Sequence, residues 1–286
     1  MCLLFFQLKD KLDSPNDFKV ILISVRDEFM ARPTSPLTRW PESDIIGAQD
    51  LEPGREGGTW LAVNSKNGRI GILLNIKEAK HDLNPHAMGR GKIVTDFLNG
   101  NNSDEYLQSL ATNVSNYNGF TFVGIDSKSC SASYVNSFTK PHIVKLQPGI
   151  YGFGNADDPS KPWKKVDYGR DKFAKIVTEL SSTDCKDKLI ERLFSLVSDD
   201  TKLPHDERLW RQAYDWTEEQ LEQLNALFVK IPSKEYGSRT WSIILIDGQG
   251  NGNVIERTRI PPIDCSNNDI TSEWKETSFS FKCSPN

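Results

Sequence analysis

Short apolar runs bounded by Gly, Asn, Asp or Pro fill the first half of the chain, and they predict strands at 3–8, 20–25, 59–63, 70–75, 120–125, 132–136 and 143–146. Asn67-Gly68 separates two of them, which predicts a hairpin through a two-residue primed turn with positive φ at both central positions. A second hairpin is expected where 241–246 and 254–257 flank the Gly/Asn-rich stretch 247–252, read as a flexible connector. Helical spacing appears at 92–98, and again from Ser103, with Leu107, Leu110 and Ala111 on one face. The middle of the chain reads as helices over 167–180 and 185–198, the latter with a stripe of Leu189, Leu193, Phe194 and Val197. Thr217 and Gln220 occupy the two positions of a capping box and start a further helix through Ala226. Segments 157–162 and 199–216 read as loops or excursions. Strands, then helices, then strands again predict an α+β fold with helices on the faces of a sheet. No linker or repeat divides residues 1–286, which read as one domain.

Composition narrows the class. The 286 residues are 37% hydrophobic, enough for a substantial core, and the net charge of −4 argues against a nucleic-acid partner. The basic clusters at 161–165 and 172–175 sit among acidic residues and read as solvated faces. Five widely spaced cysteines without a CxxC or zinc-ligand pattern point to a reducing compartment, the cytoplasm, and to no metal site. The apolar run after Cys2 is broken by Lys9, Asp10 and Lys11, too soon for a secretory leader. No stretch reaches the ~20 apolar residues of a membrane span.

The candidate chemistry starts at Cys2. Removal of Met1, the rule before a small side chain, would leave a thiol and an α-amine on one residue, and that amine can serve as the thiol's base. Arg26-Asp27, at the end of the next strand, would supply a cation and a carboxylate. Adjacent strand residues point to opposite faces, so only one of the two can face Cys2 while the strand continues. The competing reading makes Cys2 a small core residue. Gly57-Gly58-Thr59-Trp60 reads as a turn delivering Trp60 to a pocket wall or to the core. Gly89-Arg90-Gly91-Lys92 resembles an anion cradle at a helix start without the spacing of a nucleotide loop. His81, His86, His142 and His205 are the conceivable axial ligands for an iron porphyrin; His86 and Met88 stand directly before Arg90 and Lys92, which could meet propionates.

Several strings then occur in order: Met1-Cys2, Ser24-Val25-Arg26-Asp27-Glu28-Phe29, Arg32-Pro33, Glu56-Gly57-Gly58-Thr59-Trp60-Leu61, Gly89-Arg90-Gly91-Lys92, Tyr117-Asn118-Gly119-Phe120, Tyr151-Gly152-Phe153-Gly154-Asn155-Ala156 and Tyr236-Gly237-Ser238-Arg239-Thr240. Together they resemble the NRDE-domain family, the Transport and Golgi Organization 2 proteins, with Val25 where that family has Asn. The resemblance implies an N-terminal-nucleophile-hydrolase-like α-β-β-α sandwich of two antiparallel sheets flanked by helices. It also implies haem trafficking, lipid homeostasis and Golgi organisation in the cytoplasm, at mitochondria or the Golgi. Transient contact with organelle membranes or haem proteins follows. On this reading the chain is a non-enzymatic carrier of haem or another hydrophobic anionic small molecule, with Trp60, His86, Met88, Arg90, Lys92 and Asn118 as the ligand-binding set. The alternative is an amidohydrolase acting on acyl-amide or lipid-like substrates. In it Cys2 is the nucleophile, Arg26, Asp27 and Arg239 support it, and Asn155 lies at the oxyanion hole.

Overall fold

The computed structural model describes residues 2–78, 82–266 and 269–284. Two seven-stranded antiparallel sheets lie face to face. The first contains β1 (Cys2–Leu8), β2 (Phe18–Phe29), β10 (Gly149–Phe153), β12 (Tyr236–Asp247), β13 (Asn251–Asp264) and β14 (Thr271–Lys282), in the order β10-β1-β2-β12-β13-β14. The two-residue β11 (Lys230–Ile231) pairs with β12. The second sheet is a meander of sequence neighbours: β3 (Thr38–Arg39), β4 (Ile45–Gly47), β5 (Leu61–Asn64), β6 (Arg69–Asn75), β7 (Phe120–Asp126), β8 (Ser131–Asn136) and β9 (Ile143–Leu146). Helices α1 (Gly91–Asn99) and α2 (Ser103–Thr112) cover the second sheet. Helices α3 (Lys164–Glu179), α4 (Lys186–Val197), α5 (Glu207–Gln212) and α6 (Glu218–Leu224) pack on the first. This is the expected α-β-β-α layering.

Strand alternation assigns each side chain to a layer. In β1 and β2, Leu4, Phe6, Leu8, Val20 and Leu22 face the second sheet and meet Val63, Ile70, Ile72, Leu74, Val123 and Ile125 between the sheets. Their neighbours Leu3, Phe5, Ile21, Ile23 and Val25 face Val166, Phe173, Leu189 and Leu193 of the helix layer. On the other side, Ile93, Val94, Phe97 and Leu98 of α1 pack against Phe120 and Phe122.

The structure corrects several expectations in detail. The Asn67-Gly68 hairpin exists, but its last strand pair is Val63 with Ile70 and only Gly68 has positive φ, 73°. Asn64 Oδ1 accepts the N–H groups of Lys66 and Asn67 and shapes a longer turn. The 247–252 stretch is a tight turn, since Asp247 Oδ1 accepts N–H groups from Gln249 and Asn251. Helix α5 lies inside the expected excursion, its N-terminus capped by Asp206. Among the described residues no helix is long and apolar enough to cross a membrane.

Candidate functional site

Cys2 opens β1 directly opposite Arg26 of β2, so both side chains face the space between the sheets. Arg26 is only 5% exposed. Its guanidinium lies 4.2 Å from the ring centroid of the half-buried Trp60, a cation–π stack that joins one sheet to the other. Trp60 is delivered by the turn the sequence suggested. Gly57 has φ of 75°, while Gly58 lets the chain cross the start of α1: a Cβ on Gly91 would come within 2.7 Å of the Gly58 Cα.

Asp27 takes the other face, although β2 runs on to Phe29. Its Oδ1 accepts the Ser238 hydroxyl at 2.6 Å, and burial pushes its pKa up, opposed in part by the Lys165 ammonium and the Ser238 bond. Lys165, in a cluster expected to be solvated, is 0% exposed and donates to the carbonyls of Leu224 and Ala226. It falls on the apolar stripe of α3 with Val166, Gly169 and Phe173, a signal the sequence carried.

Arg239 is the extra residue of a bulge in β12, between the pairs Ser238–Asp27 and Thr240–Arg26. It is 6% exposed, and its Nη1 donates to the carbonyls of Phe29 and Arg32. Burial and the neighbouring Arg26 charge lower its pKa to about 10. Glu28 bridges Arg26 and Arg32, and Arg32 in turn grips Asp50 through two N–H groups. Glu28 and Arg32 stand in the strings Arg26-Asp27-Glu28 and Arg32-Pro33, and nothing in their spacing alone assigns them this pairing.

Asn155 follows β10, and its Oδ1 accepts the Cys2 backbone N–H; its Nδ2 donates one bond, 2.5 Å, to the Asn75 carbonyl. The Cys2 thiol has its pKa pushed up by burial, with Arg26 pulling the other way. Met1 lies outside the described residues, as does His81.

The ligand-binding set is only partly gathered here. Arg90 Nη1 donates to the Gly119 carbonyl at 2.6 Å, and Gly119 N donates to Glu78, just after the segment where Lys77 N bonds the Asn155 carbonyl. Burial lowers the Arg90 pKa to about 10. Asn118 pins the preceding loop by exchanging two hydrogen bonds with the Asn84 backbone. His86, Met88 and Lys92 are exposed on that loop and the first turn of α1, without contact to Cys2. His142 is bonded to the Asn136 carbonyl, and the His205 ring lies 4.5 Å from that of Trp210, tilted by 54°. Among the described residues no group of three or more His, Cys, Asp or Glu could hold a metal ion, and all five cysteines are free thiols.

Residues 1–261 match the family model described as Transport and Golgi organisation 2. The chain is 34% identical to the Drosophila melanogaster Transport and Golgi organization protein 2, over 97% of this chain and 96% of that protein. It is 32% identical to the Mus musculus Transport and Golgi organization 2 homolog (98% and 99% covered) and 31% identical to the Homo sapiens homolog (98% and 99%). A solved Caenorhabditis elegans N-acylethanolamine-hydrolyzing acid amidase ortholog aligns with a TM-score of 0.45 at 8% identity, covering 85% of this chain and 92% of that one. With the sequence matched along nearly its whole length, the chain belongs to the Transport and Golgi organisation 2 family.

Proposed function

We propose that this protein carries a hydrophobic, anionic small molecule, haem being the specific cargo, and catalyses no reaction on it. The observation behind this reading is where the exposed apolar surface lies. Phe29, Leu51, Leu83, Met88, Phe138 and Tyr214 are the large apolar side chains exposed among the described residues. Each is linked to the groups just described, by contact or by its place along the chain. The Phe29 carbonyl holds Arg239, and Leu51 follows the Asp50 that pairs with Arg32. Leu83 and Met88 precede Arg90, and the Phe138 ring abuts Gly119, whose carbonyl holds Arg90. Tyr214 precedes Asp215, the partner of Lys77. Exposed apolar groups mark interaction sites, and guanidiniums near them suit a ligand with a negative head. His86 and Met88 would supply iron ligands, with Arg90 and Lys92 beside the propionates. Such a carrier would act in the cytoplasm, exchanging cargo at mitochondrial or Golgi membranes or with haem proteins, and its lipid role would follow from the same amphipathic site.

Titrating haemin into the purified protein is expected to shift the Soret band. His86→Ala should alter that band, and Arg90→Ala should weaken binding by about ten-fold or more, the loss of a charge-assisted bond. A haemin spectrum unchanged by the protein, or two variants indistinguishable from wild type, overturns the assignment.

A second reading, N-terminal-nucleophile amidohydrolysis, is favoured by the convergence of Cys2, Asn155, Arg26 and Arg239. Against it, burial disfavours the thiolate, and the Asp27 carboxylate sits on the opposite face of the sheet. If it holds, Cys2→Ala abolishes acyl-amide hydrolysis with the melting temperature nearly unchanged. Equal turnover in both proteins removes it, and no hydrolysis is the outcome expected.

A further inference from the structure

Among the described residues, Arg26 and Arg239 each carry an N–H that no hydrogen bond satisfies. Arg26 uses Nη2 on Glu28 and stacks on Trp60, but its Nη1 has no hydrogen-bond partner; Arg239 uses Nη1 on two carbonyls, but its Nε has none. Both side chains are more than nine-tenths buried, where an orphaned donor on a cation costs more than a neutral one. The two residues sit one register step apart, Arg26 opposite Thr240 and Arg239 in the bulge beside it. The local charges do not balance. Arg26, Arg32 and Arg239 face Glu28 and Asp50, each already engaged with a guanidinium, while the buried Glu256 has its pKa raised to about 7 and is only partly ionised at neutral pH. Paired buried charges are the rule, and a pair of repelling guanidiniums with free donors is the unfinished half of an ion-pair site.

We infer that Arg26 and Arg239 form an anion subsite between the two sheets, which receives the carboxylate or phosphate head of an amphipathic ligand whose apolar body lies on the exposed rim. This rests on the carrier reading for the ligand's apolar part, but it places the head at the Arg26–Arg239 pair and not at the His86–Lys92 loop. One oxygen would accept from Arg26 Nη1 and another from Arg239 Nε. Trp60, lying across the Arg26 guanidinium, must slide on it to admit the head. The Cys2 thiol, opposite Arg26, would border the bound anion.

The test compares decanoate, decyl phosphate and decanol by calorimetric titration of the full chain. Either anion is expected to bind at least about ten-fold tighter than decanol, and Arg26→Met and Arg239→Gln should each erase that margin. Which of the two anions binds tighter identifies the head group. Because Arg239 also caps two carbonyls and its replacement could unfold the chain, the wild-type protein supplies a second readout: on adding decanoate, the guanidinium NMR signals of Arg26 and Arg239 should shift while that of Arg69, engaged by Gly100 and Asn101, stays put. Equal affinity for decanol and both anions, or arginine signals that do not move, overturns the subsite. Haemin titrated into the same variants separates the two ideas. If haemin binding fails while decanoate binding depends on both arginines, the cargo assignment falls and the subsite stands; if haemin binds and decanoate is not discriminated from decanol, the subsite falls alone.

Discussion

Glu256 is a buried carboxyl in a layer filled mostly by aliphatic and aromatic side chains. It lies on β13 facing the second sheet, where Oε1 accepts the Leu37 N–H at 3.0 Å and Oε2 the Ser242 hydroxyl at 3.2 Å. Burial drives its pKa up to about 7, opposed by those two bonds and by Arg26. An unfolded Glu titrates near ~4.3, so between the two values the folded carboxyl is protonated while the unfolded one is ionised. The native state then binds more protons, and stability falls as pH rises through this window and levels off above about 7, a loss of up to ~3 kcal/mol. Glu256→Gln keeps the shape and removes the titration. Its stability relative to wild type, from urea unfolding, should therefore improve between pH 5 and pH 8 by that order. An identical difference at both pH values would show that Glu256 is not the titrating group.

Among the elements, α1 depends on a contact between backbones. A Cβ at Gly91 would lie 2.7 Å from the Gly58 Cα and 3.2 Å from the Thr59 nitrogen, atoms with no flexible end to move aside. Gly91→Ala should cost about 1–3 kcal/mol and loosen the turn that presents Trp60. Gly149→Ala, whose nearest neighbour is the Tyr151 ring at 3.5 Å, should change stability by less than about 0.5 kcal/mol. Chemical denaturation of the two variants checks both, and equal losses would remove the steric argument. The same elements show what could be read without coordinates. β1 and the centre of β2 were legible because both of their faces are apolar. The apolar run of β2 stops at Val25 and that of β12 starts at Trp241, short of the strands themselves, because Arg26, Asp27, Ser238, Arg239 and Thr240 are polar residues buried inside strands. β14 went unseen, since as an edge strand rich in Glu, Lys and Ser it has no apolar run to find. For the candidate site, alternation correctly separated Arg26 from Asp27. The convergence of Cys2, Asn155 and Arg239, more than 150 positions apart from first to second, came from family likeness, because no local pattern encodes a contact across the chain.

At the scale of the molecule, the two sheets differ in how their strands find one another. Every strand of the second sheet pairs with a neighbour in sequence, so residues 38–146 can close on themselves as soon as they exist. The first sheet has no such autonomy: β2 must wait for β12, which begins at Tyr236, to cover its far edge. On a ribosome adding ~5–20 residues per second, the β1–β2 hairpin would emerge first and then hold an open, apolar strand edge for roughly 10–40 s. Such an edge is a template for wrong pairing. Stalled nascent chains ending near residue 190 should therefore show a protease-resistant second sheet and a cleavable β1–β2 hairpin, with protection of the hairpin only in chains that have released β12 and β13. Arg26 is made long before its Arg239 neighbour, so in every newly made molecule the pairing of the two guanidiniums has to wait until β12 has emerged.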